Sequence, residues 1–108
     1  MRTKLQFALG LARKAGAVVF GTQLVQDAVR HGRVQCVLLA ADASENTKKK
    51  ISNTCAHYRV PMYPVSLTMN DVAEAVGSQR LSSAVALSPH GVVRLVLDAL
   101  QDGPAQDA

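Results

Sequence analysis

The chain has 108 residues, a formal net charge of +4 and 48% hydrophobic content, enough for one compact domain with a real core but near the small end of the range. Arg13 and Lys14 interrupt its apolar start before a signal core or a membrane span is reached, so a cytoplasmic protein with no membrane partner is expected. Cys36 and Cys55 stand in neither a CxxC pair nor a Cys/His spacing, so no metal site and no cofactor are expected.

In chain order, Leu5, Ala8, Leu9, Leu11 and Ala12 recur at helical spacing and predict a helix over 4–15, stopped by Gly16. A short strand at 17–20 follows. Gly21 and Thr22 open a second helix with Leu24, Val25, Ala28 and Val29 on its inner face, ended by His31 and Gly32. The near-continuous aliphatic run 34–40 has the pattern of a strand covered on both faces. The next helix begins near Asp42 or Ser44, where Asp42-x-x-Glu45 resembles a capping arrangement, and runs to about Tyr58, with Ile51, Thr54, Cys55 and Tyr58 inward.

Pro61 and Pro64 place the short strand 61–65 at a sheet edge. Thr68 caps a helix through Val76 that Gly77 ends, 83–87 is a further strand, and a last helix covers about 90–100. The domain is thus 1–100, and 101–108 is expected to be a disordered tail. Alternating strands and helices predict an α/β fold, a three-layer α/β/α sandwich with a central mixed four-stranded sheet, and Val37, Leu38, Leu39, Val85 and Ala86 buried. Right-handed crossovers bring the loops after the first two strands and the 77–82 loop to related ends of the sheet, where open α/β sheets bind ligands.

Charge is unevenly spread. Residues 1–50 hold nine Lys/Arg against Asp27, Asp42 and Glu45, a balance of +6, and the remainder carries −2. The starts of the second and third helices offer free backbone N–H groups and the positive end of a helix dipole, both favourable to phosphate, and the third adds Lys48, Lys49 and Lys50. This combination suits RNA better than small-molecule chemistry, while the bland reading of the lysine run is a solvated helix turn. With no Trp and only Phe7, Phe20, Tyr58 and Tyr63 as aromatics, a base-stacking platform is poorly supplied.

Several stretches carry a resemblance: Leu9-Gly10-Leu11-Ala12-Arg13-Lys14-Ala15-Gly16, Gly21-Thr22 with its helix, the run from Val37 through Asp42-Ala43-Ser44-Glu45-Asn46-Thr47 to Lys50, Val60-Pro61-Met62-Tyr63, and Val72-Ala73-Glu74-Ala75-Val76-Gly77 with Ser83-Ala84-Val85-Ala86-Leu87. In this order and spacing, over residues 3 to 98, they resemble the kink-turn RNA-binding ribosomal-protein family of the L-seven-Ae and L-thirty-e type, most closely its small bacterial YlxQ-like members. The resemblance implies a ribosome- or translation-associated protein that clamps a sharply bent RNA with three loops. By position it assigns Gly21, Thr22, Gln23 and Leu24 to the purine-reading start of the second helix, and Gly77, Ser78, Gln79, Arg80 and Leu81 to the apolar loop against extruded bases. Asp27 falls where RNA-binding relatives commonly carry lysine, and Leu24 cannot accept from guanine as a glutamate does. Arg30, Arg33, Lys48, Lys49, Lys50 and Arg80 remain for shape- and charge-driven binding.

Two other classes stand beside this one. In a protein-interaction adaptor of the same fold, Leu24 and Asp27 would replace RNA contacts with a partner surface. An enzyme has the least support: His31, His57 and His90 fall in different elements, and Ser44, Ser82, Ser83 and Ser88 have no adjacent base, so capping accounts for them. Gly10 and Gly16 make no nucleotide fingerprint because no strand precedes them.

Overall fold

The computed structural model describes residues 3–107, with side chains described for 3–101. The elements run α1 (Lys4–Lys14), β1 (Val18–Phe20), α2 (Thr22–Arg30), β2 (Cys36–Leu39), α3 (Glu45–His57), β3 (Met62–Pro64), α4 (Met69–Val76), β4 (Ala84–Leu87) and α5 (Val93–Asp107). The four strands form one mixed sheet in the order β1-β4-β2-β3. β4 runs antiparallel to both β1 and β2, and β2 runs parallel to β3. The proline-containing β3 is an edge strand, as its missing N–H donors require.

Strand alternation builds two separate cores. Cys36, Leu38, Val85 and Leu87 face a layer of α1, α4 and α5 that includes Leu9, Val72, Val76, Val93 and Val96. Val37, Leu39, Ala84 and Ala86 point the other way, against Val25, Val29, Ile51 and Cys55 of α2 and α3. Both inner strands are buried at every position, as expected for a sheet with helices on both faces. The predicted core residues Val37, Leu38, Leu39, Val85 and Ala86 are all buried.

Helix ends follow their local chemistry. Thr3 and Thr68 each form a reciprocal capping box, with Gln6 and Asp71 respectively. Gly77 closes α4 at φ +71°, a left-handed conformation that glycine adopts without penalty. Of the two starts the sequence offers for α3, the structure uses Ser44: it is the N-cap and accepts from Thr47 N–H at 3.2 Å, so the Asp42-x-x-Glu45 capping arrangement does not form. Asp42 is drawn instead to the start of α4, where it accepts from Met69 N–H at 2.8 Å.

Three residues read from helical spacing, Leu24 and Tyr58 among them expected inward, are exposed. Leu24 (60%) stands on the first turn of α2, Leu11 lines an open groove with Phe7 and Leu95, and Tyr58 follows the last turn of α3 beside the His57 ring. Two glutamines are buried where apolar periodicity expected none. Gln6 Nε2 donates to the Asp71 carbonyl at 3.2 Å while Gln6 Oε1 accepts from Thr3 N–H at 3.0 Å, so its amide loses water without losing partners. Gln26 reaches Thr54 Oγ1 on α3. The backbone of α5 is helical to Asp107, beyond the end read for the last helix at about residue 100; the side chains of 102–108, and so most of the tail expected at 101–108, lie outside the described residues.

Candidate nucleic-acid interface

Strand directions decide which loops meet. β1, β2 and β3 run the same way and β4 runs against them, so the C-terminal ends of the first three and the N-terminal end of the fourth lie at one end of the sheet. The starts of α2, α3 and α4 therefore gather there, together with the loop that leads into β4. Loop-to-loop hydrogen bonds fasten this end: Ala40 N–H donates to the Ser83 carbonyl and Ala41 N–H to the Leu67 carbonyl, both at 2.8 Å. The Asp42 to Met69 bond adds a third tie.

The three helix starts differ in how their free N–H groups are satisfied. Ser44 caps α3 and Thr68 caps α4, and the first turns hold Glu45 and Asp71, which oppose the positive dipole ends. The start of α2 has no side-chain cap and no acidic residue in its first turn. Its N-cap, Gly21, sits at φ +111°, a conformation L side chains rarely adopt. The Gly21 N–H itself donates to Ser82 Oγ at 3.1 Å, and Ser82 is almost fully buried. Of the three, α2 presents the least compensated anion-binding start.

Around this start the predicted residues separate into two groups. Gly21, Thr22, Gln23 and Leu24 come together with the loop of Gly77, Ser78, Gln79, Arg80 and Leu81, because the Ser82 bond pins one to the other. Leu24 and Ser78 share a groove of about 420 Å³ with Phe20 and Val76, and Arg13 stands at its side. Ser78 shapes the loop by accepting from Arg80 N–H at 3.0 Å and donating to the Arg80 carbonyl at 3.1 Å. Leu81 is 55% exposed, so the loop displays an apolar side chain beside the exposed Arg80.

Lys48, Lys49 and Lys50 lie on the early turns of α3. Lys48 lines a second groove of about 440 Å³ with Ala40, Ala41, Pro64 and Val65 on the β3 side of the same end. Its Nζ lies 3.6 Å from Glu45 Oε1, while Lys49 and Lys50 are exposed. Arg30 is not brought into this mouth. It occupies the last turn of α2, about 13 Å along the helix axis from Gly21 at 1.5 Å per residue, and its Nη1 lies 3.6 Å from Asp27 Oδ1. Asp27 also accepts from Gln23 Nε2 at 3.1 Å, one turn nearer the mouth.

Sequence reasoning brought the loops holding Asp42 and Ser82 to this end without their bonding roles, and it missed Arg13 as part of it. The sequence signal for Ser82 is a small polar residue just before an apolar strand; its role is visible only through a partner 61 residues away. Burial pushes the Cys36 thiol up to about 11 and raises that of Cys55, leaving both as inert core residues. Among the described residues, no three His, Cys, Asp or Glu side chains gather to hold a metal ion, and no helix is long and apolar enough to cross a membrane.

Comparison with known proteins places the chain among its relatives. The chain is 49% identical over 53 residues to the RNA-binding protein YlxQ of Bacillus subtilis (strain 168), an alignment spanning 49% of the chain and 53% of that relative. It is 33% identical over 79 residues to the RNA-binding protein YlxQ of Enterococcus faecium, covering 73% and 76% of the two chains. A solved structure of a protein of unknown function from Bacillus halodurans superposes with a TM-score of 0.83 at 28% identity, over 93% of this chain and 99% of the other. The fold is also that of the Giardia lamblia 15.5kD RNA binding protein, with a TM-score of 0.75, 17% identity and coverage of 94% and 86%. With residues 3–96 matched by the family's own profile, the chain belongs to the ribosomal protein L7Ae/L30e/S12e/Gadd45 family.

Proposed function

We propose that this protein is a non-enzymatic, cytoplasmic RNA-binding protein, associated with the ribosome or translation, that engages structured RNA, kink-turns included, through the loops at the open end of its sheet. One observation carries the reading: the uncapped start of α2, the Ser78 to Leu81 loop and the Lys48 to Lys50 turn lie at a single end of the molecule. Phosphates would be met by backbone N–H groups and lysines, and splayed bases by the exposed Leu81 and by the groove that Leu24 and Phe20 line. The names of its YlxQ relatives, both RNA-binding proteins, support the same reading.

The experiment is a titration of the full chain against two RNAs of equal length and composition, one containing a sharp bulge-induced bend and one a straight duplex, at two salt concentrations. Tighter binding to the bent RNA with a negative salt slope is expected. Equal affinity for both would remove the kink-turn element. No binding to either, with a polypeptide copurifying in stoichiometric amount, would favour the adaptor reading, for which the exposed Leu24 beside Asp27 is the motivating feature.

A further inference from the structure

We propose that Asp27 is a positioning residue: it turns the Gln23 amide so that the carbonyl oxygen faces an incoming base, and this end of α2 thereby selects bases that carry an exocyclic amino group. The inference rests on the RNA reading above and adds a direction to its specificity. Gln23 and Asp27 stand one helical turn apart on α2, with Nε2 of the first 3.1 Å from Oδ1 of the second. An ionised carboxylate can only accept, so the amide atom that meets it must be the nitrogen. An unconstrained glutamine offers donor or acceptor equally; this one has its nitrogen engaged toward the helix and its Oε1 left for a ligand. Arg30 Nη1, 3.6 Å from the same Oδ1, steadies the carboxylate from the turn beyond.

The neighbouring side chains sharpen the consequence. Leu24, next in the first turn of α2, is exposed and has no polar atom to compete for a base edge. An outward carbonyl oxygen accepts from the amino group of guanine, adenine or cytosine and finds none on uracil or hypoxanthine. A carboxylate that weakens the general attraction for phosphate thus gives orientation to the one long polar side chain in the first turn of α2.

The test uses an RNA hairpin with a three-nucleotide bulge followed by tandem G·A pairs, and a twin in which inosine replaces those guanines and so lacks their 2-amino groups. The parent protein is expected to bind the guanine form about fivefold more tightly, the scale of one hydrogen bond. Asp27→Asn keeps an acceptor oxygen for Gln23, so it should tighten binding to both RNAs while retaining most of the preference. Asp27→Ala should also tighten binding to both, but with the preference falling toward one. In a Gln23→Ala background, Asp27→Ala should shift both affinities equally.

An undiminished guanine preference in Asp27→Ala would overturn the proposal. A second measurement needs no RNA: the Gln23 side-chain amide signal in a 15N-labelled sample should move on Asp27→Ala, and an unmoved signal would overturn the positioning. A moved signal in a parent protein that binds neither RNA would overturn the RNA reading and the base selection with it, and would separate that failure from a failure of the side-chain geometry.

Discussion

Gly21 and Ser82, 61 residues apart in sequence, meet at the open end of the sheet, where the Gly21 N–H donates to the Ser82 hydroxyl at 3.1 Å. The same hydroxyl donates to the Ala84 carbonyl and accepts from Ala84 N–H, so one buried oxygen joins the start of α2 to the start of β4. Ser82→Ala would leave these groups unsatisfied out of water and is expected to destabilise the fold by about 1–3 kcal/mol. Urea unfolding followed by circular dichroism measures this; a midpoint equal to that of the parent would mean the junction contributes nothing.

Gly21 can also be tested through its backbone. A Cβ added there would meet Leu24 Cδ1 at 3.7 Å, ordinary contact, so any cost comes from φ +111° and not from a clash. Gly21→Ala should therefore lower stability by roughly 1–3 kcal/mol, and shortening Leu24 to Ala in the same protein should not restore it. Recovery in the double variant would place the cost in packing instead.

Replacing Lys48, Lys49 and Lys50 with Ala should weaken RNA binding and flatten its dependence on salt. Each lysine that contacts a phosphate contributes roughly 0.7–0.9 to the slope of log affinity against log salt. Lys48, already near Glu45 at 3.6 Å, should contribute least. Single and triple variants titrated at several salt concentrations give the slopes, and identical slopes would identify the run as a solvated turn.

Asp27→Lys exchanges a negative for a positive charge on the helix that starts at the mouth. Affinity at low salt should rise by on the order of 1 kcal/mol, with a steeper salt slope. Because lysine cannot accept from Gln23, the guanine preference should fall at the same time. Adding Leu24→Glu should then widen the preference for a bent RNA over a straight one beyond that of the parent, since a carboxylate accepts from guanine. No gain on either RNA would mean that this face of α2 does not meet RNA.

Burial of Cys36 predicts an alkaline effect. Its folded-state value of about 11 lies above the ordinary 9.0, so the neutral thiol is the favoured form in the core. The stabilisation is fully present below pH 9.0 and is lost as pH rises toward 11. Thermal unfolding of the parent and of Cys36→Ala across that window should show a steeper fall for the parent. Parallel curves would show that the thiol does not titrate with unfolding.

Periodicity and turn chemistry made the elements legible. The aliphatic runs ending at Leu39 and Leu87, the Thr68 cap and the Gly77 stop are local signals, and every element but α5, which runs on to Asp107, lies where such signals place it to within a few residues. Hydrophobicity alone misjudged Leu24, Leu11 and Tyr58, which sit at helix ends or on an uncovered face, and it overlooked Gln6, whose carbonyl partner on Asp71 is 65 residues away.

What the sequence by itself determined is the order of helices and strands, the apolar content of two inner strands and the supply of positive charge in the first half, because these follow from neighbours within a few residues. Only the tertiary structure decided that β4 inserts between β1 and β2, that Asp42 serves α4 instead of α3, and that Ser82 joins the start of α2 to the start of β4. Strand order and hydrogen-bond partners across tens of residues depend on which surfaces pack and which polar groups must be satisfied when they do, and neither quantity exists until the chain has folded back on itself.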